Sequence, residues 1–445
     1  MRLAAGAGAS RVATIAFATL LMLAPSETPR AEQAGQTGQA GQAGQPEQPG
    51  DDLTIYALTF GPHEHPFFKF GHNAILVQPK KGEGLVFNFG TFAFDSPALI
   101  PKFLRGRFKY WLSVAGVDDT MESYAAANRS ILAQELDLTA AQKWSLWQAL
   151  RENARPENRE YLYDYFYDNC STRVRDAIDR ATGGRVRAAG QNPASMTFRA
   201  HSLRSTADFL PEYVGLYLGL GRATDVPINR WQEAFLPERL ADLLRSVRVP
   251  EGAGEKPLVK SEKFVFRSSR PAKPPAPPSW GIYFLGIGTL VGAALVLLGR
   301  LGRRRASARI LLGLSASILG FVLGLLGLIL VCLWLFTDHR AAHANANILQ
   351  LAPWSLGLSA YGLAVALGRS GGARKARTLA LSAAIFSAVG VICKAVPGLN
   401  QDNWPFVLLC FPLWLGMWVG FRELLPTLSP RPSPDTPSTK PHAGH

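Results

Sequence analysis

The sequence predicts an α+β soluble domain followed by an all-α transmembrane domain of about five helices. Three observations lead there. Residues 51–267 alternate short β-branched and aromatic runs with amphipathic ones. Residues 280–424 are almost continuously apolar. Between them, residues 268–279 hold five prolines from Pro271 to Pro278 and read as a semi-rigid spacer.

Five apolar runs, near Trp280–Leu298, Ile310–Phe336, Ile348–Leu367, Leu379–Val396 and Trp404–Phe421, approach or exceed the roughly 20 residues that cross a bilayer. Arg300–Arg309 carries five arginines, and Arg369–Arg377 carries three arginines and a lysine. Such loops stay in the cytoplasm. The loops Thr337–Asn347 and Pro397–Asn403 then lie outside, the 425–445 tail inside, and the soluble domain outside. Lys394, near an outer span end, is expected to snorkel.

The N-terminus agrees with that orientation. Arg2 and Arg11 supply positive charge ahead of a short apolar core, Val12–Ala24, and small residues follow. Residues 1–31 therefore read as an export signal, either cleaved near Ala31 or retained as an anchor. No cysteine follows the apolar core, so a lipobox is missing. Residues 32–50 form a Gly/Gln/Ala repeat whose composition buries no core, which predicts a flexible tether. The net charge of +14 is largely a matter of membrane topology, which argues against nucleic acid as a partner.

Within the soluble part, Leu53–Phe60, Phe70–Val77 and Gly84–Phe92 read as strands. Asp119–Ser130 and Thr139–Asn153 read as helices, the latter with Thr139 as N-cap and Gln142 three positions on. Tyr161, Tyr163, Tyr165 and Tyr167 alternate, so Glu160–Asn169 is expected to be extended. Val174, Ala177, Ile178 and Ala181 then follow helical spacing up to Gly183-Gly184. With Asp168 or Asn169 as N-cap, Cys170 falls in the first turn of that helix. Short elements fill Met196–Leu244.

Cys332, Cys393 and Cys410 lie in apolar runs, so Cys170 is the one cysteine of the soluble part. It has no disulfide partner there, and no zinc-type Cys spacing exists. A helix N-terminus lowers a thiol pKa, and its free N–H groups can hold an oxyanion. The competing reading is a buried, inert cysteine. His72, at the start of a strand, is the best base, with His201 less favoured. His63 and His65 fall in a Pro-containing loop. Asn88, on the next strand, is a candidate to orient the imidazole, since Cys–His–Asn is a working combination. Arg173, one turn beyond Cys170, could hold a phosphate or carboxylate, or form a structural ion pair. Arg105, Arg107 and Lys109 could meet anionic headgroups or line a solvated face. His339, His343, Asn345 and Asn347, with Asp338, cluster in an outer loop. A substrate-positioning or domain-docking role suits them better than a metal site, because no full ligand set is evident.

Several separated segments carry a family resemblance: Phe70-Gly71-His72-Asn73, Asn88-Phe89-Gly90-Thr91-Phe92, Phe103-Leu104-Arg105-Gly106-Arg107 with Tyr110-Trp111-Leu112, and Tyr167-Asp168-Asn169-Cys170-Ser171-Thr172-Arg173. Thr197-Phe198-Arg199, Phe235-Leu236-Pro237, Asp338-His339 and Asn345-Ala346-Asn347 extend it. In this order the chain resembles the Lnb family of bacterial membrane proteins. The resemblance implies a circularly permuted papain-like (NlpC-type) extracytoplasmic domain at the bacterial inner membrane. It implies Cys170 as nucleophile and His72 as base, with Asn88 at a motif position and Asn169 and Arg173 beside the cysteine. The implied activity is transfer of an acyl chain from a phospholipid or a lipoprotein glyceride to the N-terminal amine of lipoproteins, without a cofactor. Two rivals remain: a cysteine peptidase or amidase acting on cell-wall peptide, and a non-catalytic sensor or scaffold.

Overall fold

The computed structural model describes residues 49–92 and 105–428. The expected export signal, nearly all of the tether and most of the tail lie outside the described residues, as do Phe103 and Leu104.

The soluble part is built on an antiparallel sheet. Its strands are β1 (Leu53–Phe60), β2 (His72–Pro79), β3 (Leu85–Thr91), β4 (Lys109–Gly116), β5 (Ile131–Leu136) and β6 (Glu160–Leu162), joined by a late strand at Val259–Phe266. The spatial order is β6-β4-β3-β2-β1-β5, with the late strand outside β5. Alternation in β1 and β2 sends Ile55, Ala57, Ile75 and Val77 to one face and Leu58, Phe60, Ala74 and Leu76 to the other. The first face packs under helices α2 (Ala140–Asn153), α3 (Cys170–Ala181) and a helix at Pro237–Ser246. The second face meets α1 (Val117–Ala126) through Val117, Met121 and Tyr124.

Thr139 and Gln142 form a reciprocal capping box at the start of α2. The tyrosine segment departs from expectation. Only Glu160–Leu162 is a strand, because Asp164 Oδ1 accepts the N–H groups of Phe166 and Tyr167 and closes a turn. The Pro-rich stretch is not a free spacer either. Ser268 and Arg270 bond to the Asn128 carbonyl, Lys273 pairs with Asp208, and the Pro278 carbonyl accepts from the Tyr213 hydroxyl.

Among the described residues, five helical segments are long and apolar enough to span a membrane. Four are Gly281–Gly302, Ala306–Phe336, Gly371–Ala395 and Trp404–Leu425. The third in order, Asn347–Ala366, was expected to be continuous but breaks at Ala352, which has φ +46°. Pro353 disfavours helical backbone at the residue before it and offers no N–H. Large side chains such as Ile282, Leu290 and Phe336 point outward, as a lipid environment demands.

The first and last spans approach backbone to backbone. A Cβ at Gly416 would stand 2.4 Å from Gly292 Cα. Small residues substitute here for a hydrophobic driving force, which vanishes between helices in lipid. Gly416→Val should therefore cost roughly 1–3 kcal/mol or more. Thermal unfolding in detergent checks it, and an unchanged midpoint would contradict this packing.

Both loops expected outside touch the soluble domain. Asn345 Nδ2 donates to the Leu218 and Gly219 carbonyls, and Asn347 Nδ2 to those of Tyr217 and Leu218. Gln401 Nε2 donates to the Leu220 carbonyl and the Tyr217 hydroxyl to Asp402. The Lys394 ammonium reaches the outer loop, donating to the Gln401 carbonyl and Asn403 Oδ1. On the opposite side, Arg303 from the arginine-rich loop pairs with Glu423 of the last span.

Candidate active site

Cys170 opens α3 because Asn169 caps it. Asn169 Oδ1 accepts from Thr172 N–H at 2.9 Å, and Thr172 Oγ1 accepts from Asn169 N–H at 2.8 Å. Asn169 Nδ2 donates to the Tyr165 and Phe235 carbonyls. Every polar group of the Asn169 side chain is thus engaged in holding the helix start. The next residue ties that start to the sheet. Ser171 Oγ lies 2.7 Å from Asn73 Oδ1 and 2.8 Å from the Ala234 carbonyl. Asn73 Nδ2 in turn donates to the Leu58 carbonyl and Thr59.

This lock brings strand β2 against the sulfur. The backbone N–H groups of Asn73, Ser171 and Cys170 itself lie close enough to favour the Cys170 thiolate. His72 precedes Asn73 on the strand, and its Nε2–H donates to Asn88 Oδ1 at 3.4 Å. Asn88 Nδ2 donates to the Val86 carbonyl, which orients the amide. With Nε2 carrying the proton, Nδ1 keeps the basic lone pair. Gly90 shows how the parts converge. A Cβ added there would stand 3.3 Å from Cys170 Cβ, 3.9 Å from the Tyr161 hydroxyl and 4.0 Å from His72 Cε1. Gly90 has φ +93°, a conformation that favours glycine, so the space between cysteine and histidine stays open.

The charge states differ from the sequence expectation. Burial pushes the Cys170 thiol up, and this outweighs the three N–H groups and the nearby Arg129 charge. Burial, and then Arg129, holds His72 down at about 3 against the hydrogen bond to Asn88. The resting pair is a neutral thiol and a neutral imidazole, so the base must take the proton as the sulfur attacks. The free imidazole of an unfolded chain protonates near 6.5, whereas folded His72 stays neutral to about 3. The unfolded state therefore binds the extra proton, and His72 weakens the fold as pH drops from 6.5 toward 3, with no effect above that window. His72→Gln should flatten the acid limb of stability, measured as unfolding midpoints from about pH 7 to about pH 4. Parallel curves for the two proteins would sink this account.

Arg129 escaped the sequence reading. It is 6 % exposed, forms no ion pair among the described residues, donates from Nε to the Gly61 carbonyl and lies 4.5 Å from the Tyr124 ring centre. No local pattern announces it; its position follows from pairing of β5 with β1.

The other expected site residues are engaged within the protein. Arg173 pairs through two nitrogens with Asp168, at 2.6 and 2.9 Å, and covers the Tyr161 ring. His201, fully buried, bonds Glu233 at 2.8 Å, away from Cys170. His343 Nε2–H donates to the Thr337 carbonyl at 3.0 Å. A 3-10 turn at Arg340–Ala342 separates it from His339, so the two histidines share no helix face. Asn345 and Asn347 are buried in the docking contacts described above. Both donors of the Asn169 amide are taken by the Tyr165 and Phe235 carbonyls. Of the alternatives left open by the sequence, the contacts seen are the ion pair for Arg173 and domain docking for Asn345 and Asn347, while Asn169 caps the helix and His343 bonds within its own loop. His339 faces the aromatic run, its ring 6.1 Å from Tyr165. Arg107 pairs with Asp338 and Lys109 with Glu160 at the surface.

The sequence model of the Lnb N-terminal periplasmic domain matches residues 45–204, and that of the Lnb transmembrane domain matches residues 289–370. The chain belongs to the Lnb family. It is a membrane protein with a periplasmic Lnb domain. No curated protein and no solved structure matches it. The periplasmic Lnb match contains His72, Asn88, Arg129 and Cys170, and the transmembrane match contains the Thr337–Asn347 loop that docks against Leu218 and Gly219.

Proposed function

We propose that this Lnb-family chain is a membrane-bound cysteine acyltransferase of the bacterial inner membrane. It would move an acyl chain from a phospholipid, through a Cys170 thioester, to the N-terminal amine of a lipoprotein. The observation that carries the reading is the convergence of Cys170, His72 and Asn88 around the open space at Gly90. A papain-like division of labour fits that cluster.

Transfer takes two displacements. Cys170 Sγ attacks the ester carbonyl carbon as His72 Nδ1 takes the thiol proton. The tetrahedral adduct collapses, the C–O bond breaks, and His72 returns the proton to the leaving alkoxide. The lipoprotein amine then attacks the thioester, and the C–S bond breaks. The proton lost by the amine passes through His72 to the departing sulfur. Donor and acceptor both reside in a membrane, which suits a catalyst held against membrane loops.

Intact-mass analysis of lipoproteins from cells with and without the protein tests the proposal. One added acyl mass at the N-terminal residue is expected only when the protein is present. Unchanged lipoproteins together with cleaved muropeptides would replace it with the peptidase or amidase reading.

A further inference from the structure

We propose that Tyr161 is a catalytic residue whose hydroxyl donates a hydrogen bond to the acyl oxygen of a substrate seated at Cys170. The inference rests on the cysteine acyltransferase reading and supplies a part that reading lacks. The N–H groups of Asn73, Ser171 and Cys170 favour the thiolate form of the sulfur. An oxygen developing negative charge on the attacked carbon needs a donor of its own.

Tyr161 is placed to be that donor. Its side chain is 7 % exposed, and its hydroxyl has no hydrogen-bond partner among the described residues. Buried hydroxyls are normally paired, and leaving one unpaired costs about 1–3 kcal/mol. The hydroxyl faces the open seat at Gly90, 3.9 Å from the point a Cβ would take, with Cys170 and His72 on its other sides. The ring cannot swing elsewhere to find a partner. Arg173 lies 3.7 Å over its centre, itself fixed by two bonds to Asp168, and Tyr161 pairs with Tyr110 across β6 and β4. Burial raises the phenol pKa further, so it keeps its proton.

As the Sγ–C bond forms, the carbonyl π electrons move onto oxygen. Tyr161 O–H stabilises that oxygen without giving up its proton, and the thiol proton goes to His72. Collapse restores the carbonyl and expels the leaving alkoxide.

The test uses the full-length protein and two donors, a p-nitrophenyl acyl ester and a phospholipid, with acyl-Cys170 followed by intact mass in a single turnover. Tyr161→Phe should slow acylation from the nitrophenyl ester about 100-fold. Iodoacetamide alkylation of Cys170, which develops no oxyanion, should keep its wild-type rate. Acylation of Tyr161→Phe at the wild-type rate overturns the proposal. So does an equal loss of alkylation, which would make Tyr161 a structural support for the cysteine. If wild type is acylated by the nitrophenyl ester but not by the phospholipid, the acyltransferase reading fails while the Tyr161 comparison still reads out.

Discussion

Cys170→Ala protein is expected to reach the membrane folded and to lose acyl transfer by about a thousandfold or more. The fold should tolerate the change because the helix start does not depend on the sulfur. Asn169 and Thr172 form the cap, and Ser171 ties it to Asn73. Truncation removes one sulfur from a partly exposed side chain, a small loss of packing. The chemistry has no substitute, since the other described cysteines lie in the membrane spans or at their ends. The measurement is lipoprotein N-acylation by mass, with unfolding in detergent as the control. Persistent N-acylation by a Cys170→Ala protein would refute the covalent route.

Arg199→Met should be the most destabilising single change in the soluble domain, by about 3–5 kcal/mol. Arg199 is fully buried and pairs with Asp225 at 2.6 Å. It also donates to the carbonyls of Tyr217, Leu220 and Gly221. Methionine fills much of the volume but leaves the Asp225 carboxylate without its counter-charge and takes one donor from each of three carbonyls. Burial already holds Asp225 above its usual carboxylate range. Adding Asp225→Asn to the variant should recover part of the loss, because it removes the uncompensated charge. Asp225 Oδ2 also accepts from Asp402 N–H in the outer membrane loop, so the defect should loosen docking as well. Thermal unfolding and limited proteolysis of both variants check this; a loss below about 1 kcal/mol would contradict it.

What the sequence made legible was local. The strand Leu53–Phe60, the Thr139–Gln142 box and the position of Cys170 in a first helical turn all follow from side-chain pattern and capping within a few residues. The membrane spans follow from apolar length alone. The missed parts depend on distant chain. Ile131–Leu136 pairs with Val259–Phe266, far along the chain, and that pairing has no signature in either segment. The acidity of Cys170 was read from the helix terminus, but burial by surrounding elements outweighs it. Asn345 and Asn347, polar at a membrane surface, leave substrate positioning and domain docking open in the sequence; the carbonyls they satisfy belong to Tyr217, Leu218 and Gly219, far along the chain. Tyr161 was visible only as one member of an alternating run.

On the acyltransferase reading proposed above, the amide contacts of Asn345, Asn347 and Gln401 have a consequence for which molecules can react. They clamp the soluble domain to two loops at span ends, so the cysteine would keep a fixed elevation relative to those span ends. A bond that rides higher or lower in its own membrane-bound molecule never comes level with the sulfur, whatever its chemistry. The docking contacts thus act as a depth gauge, screening candidates by elevation before any pocket has touched them. Replacing Asn345 and Asn347 with alanine would blur that gauge while leaving Cys170, His72 and Asn88 in place.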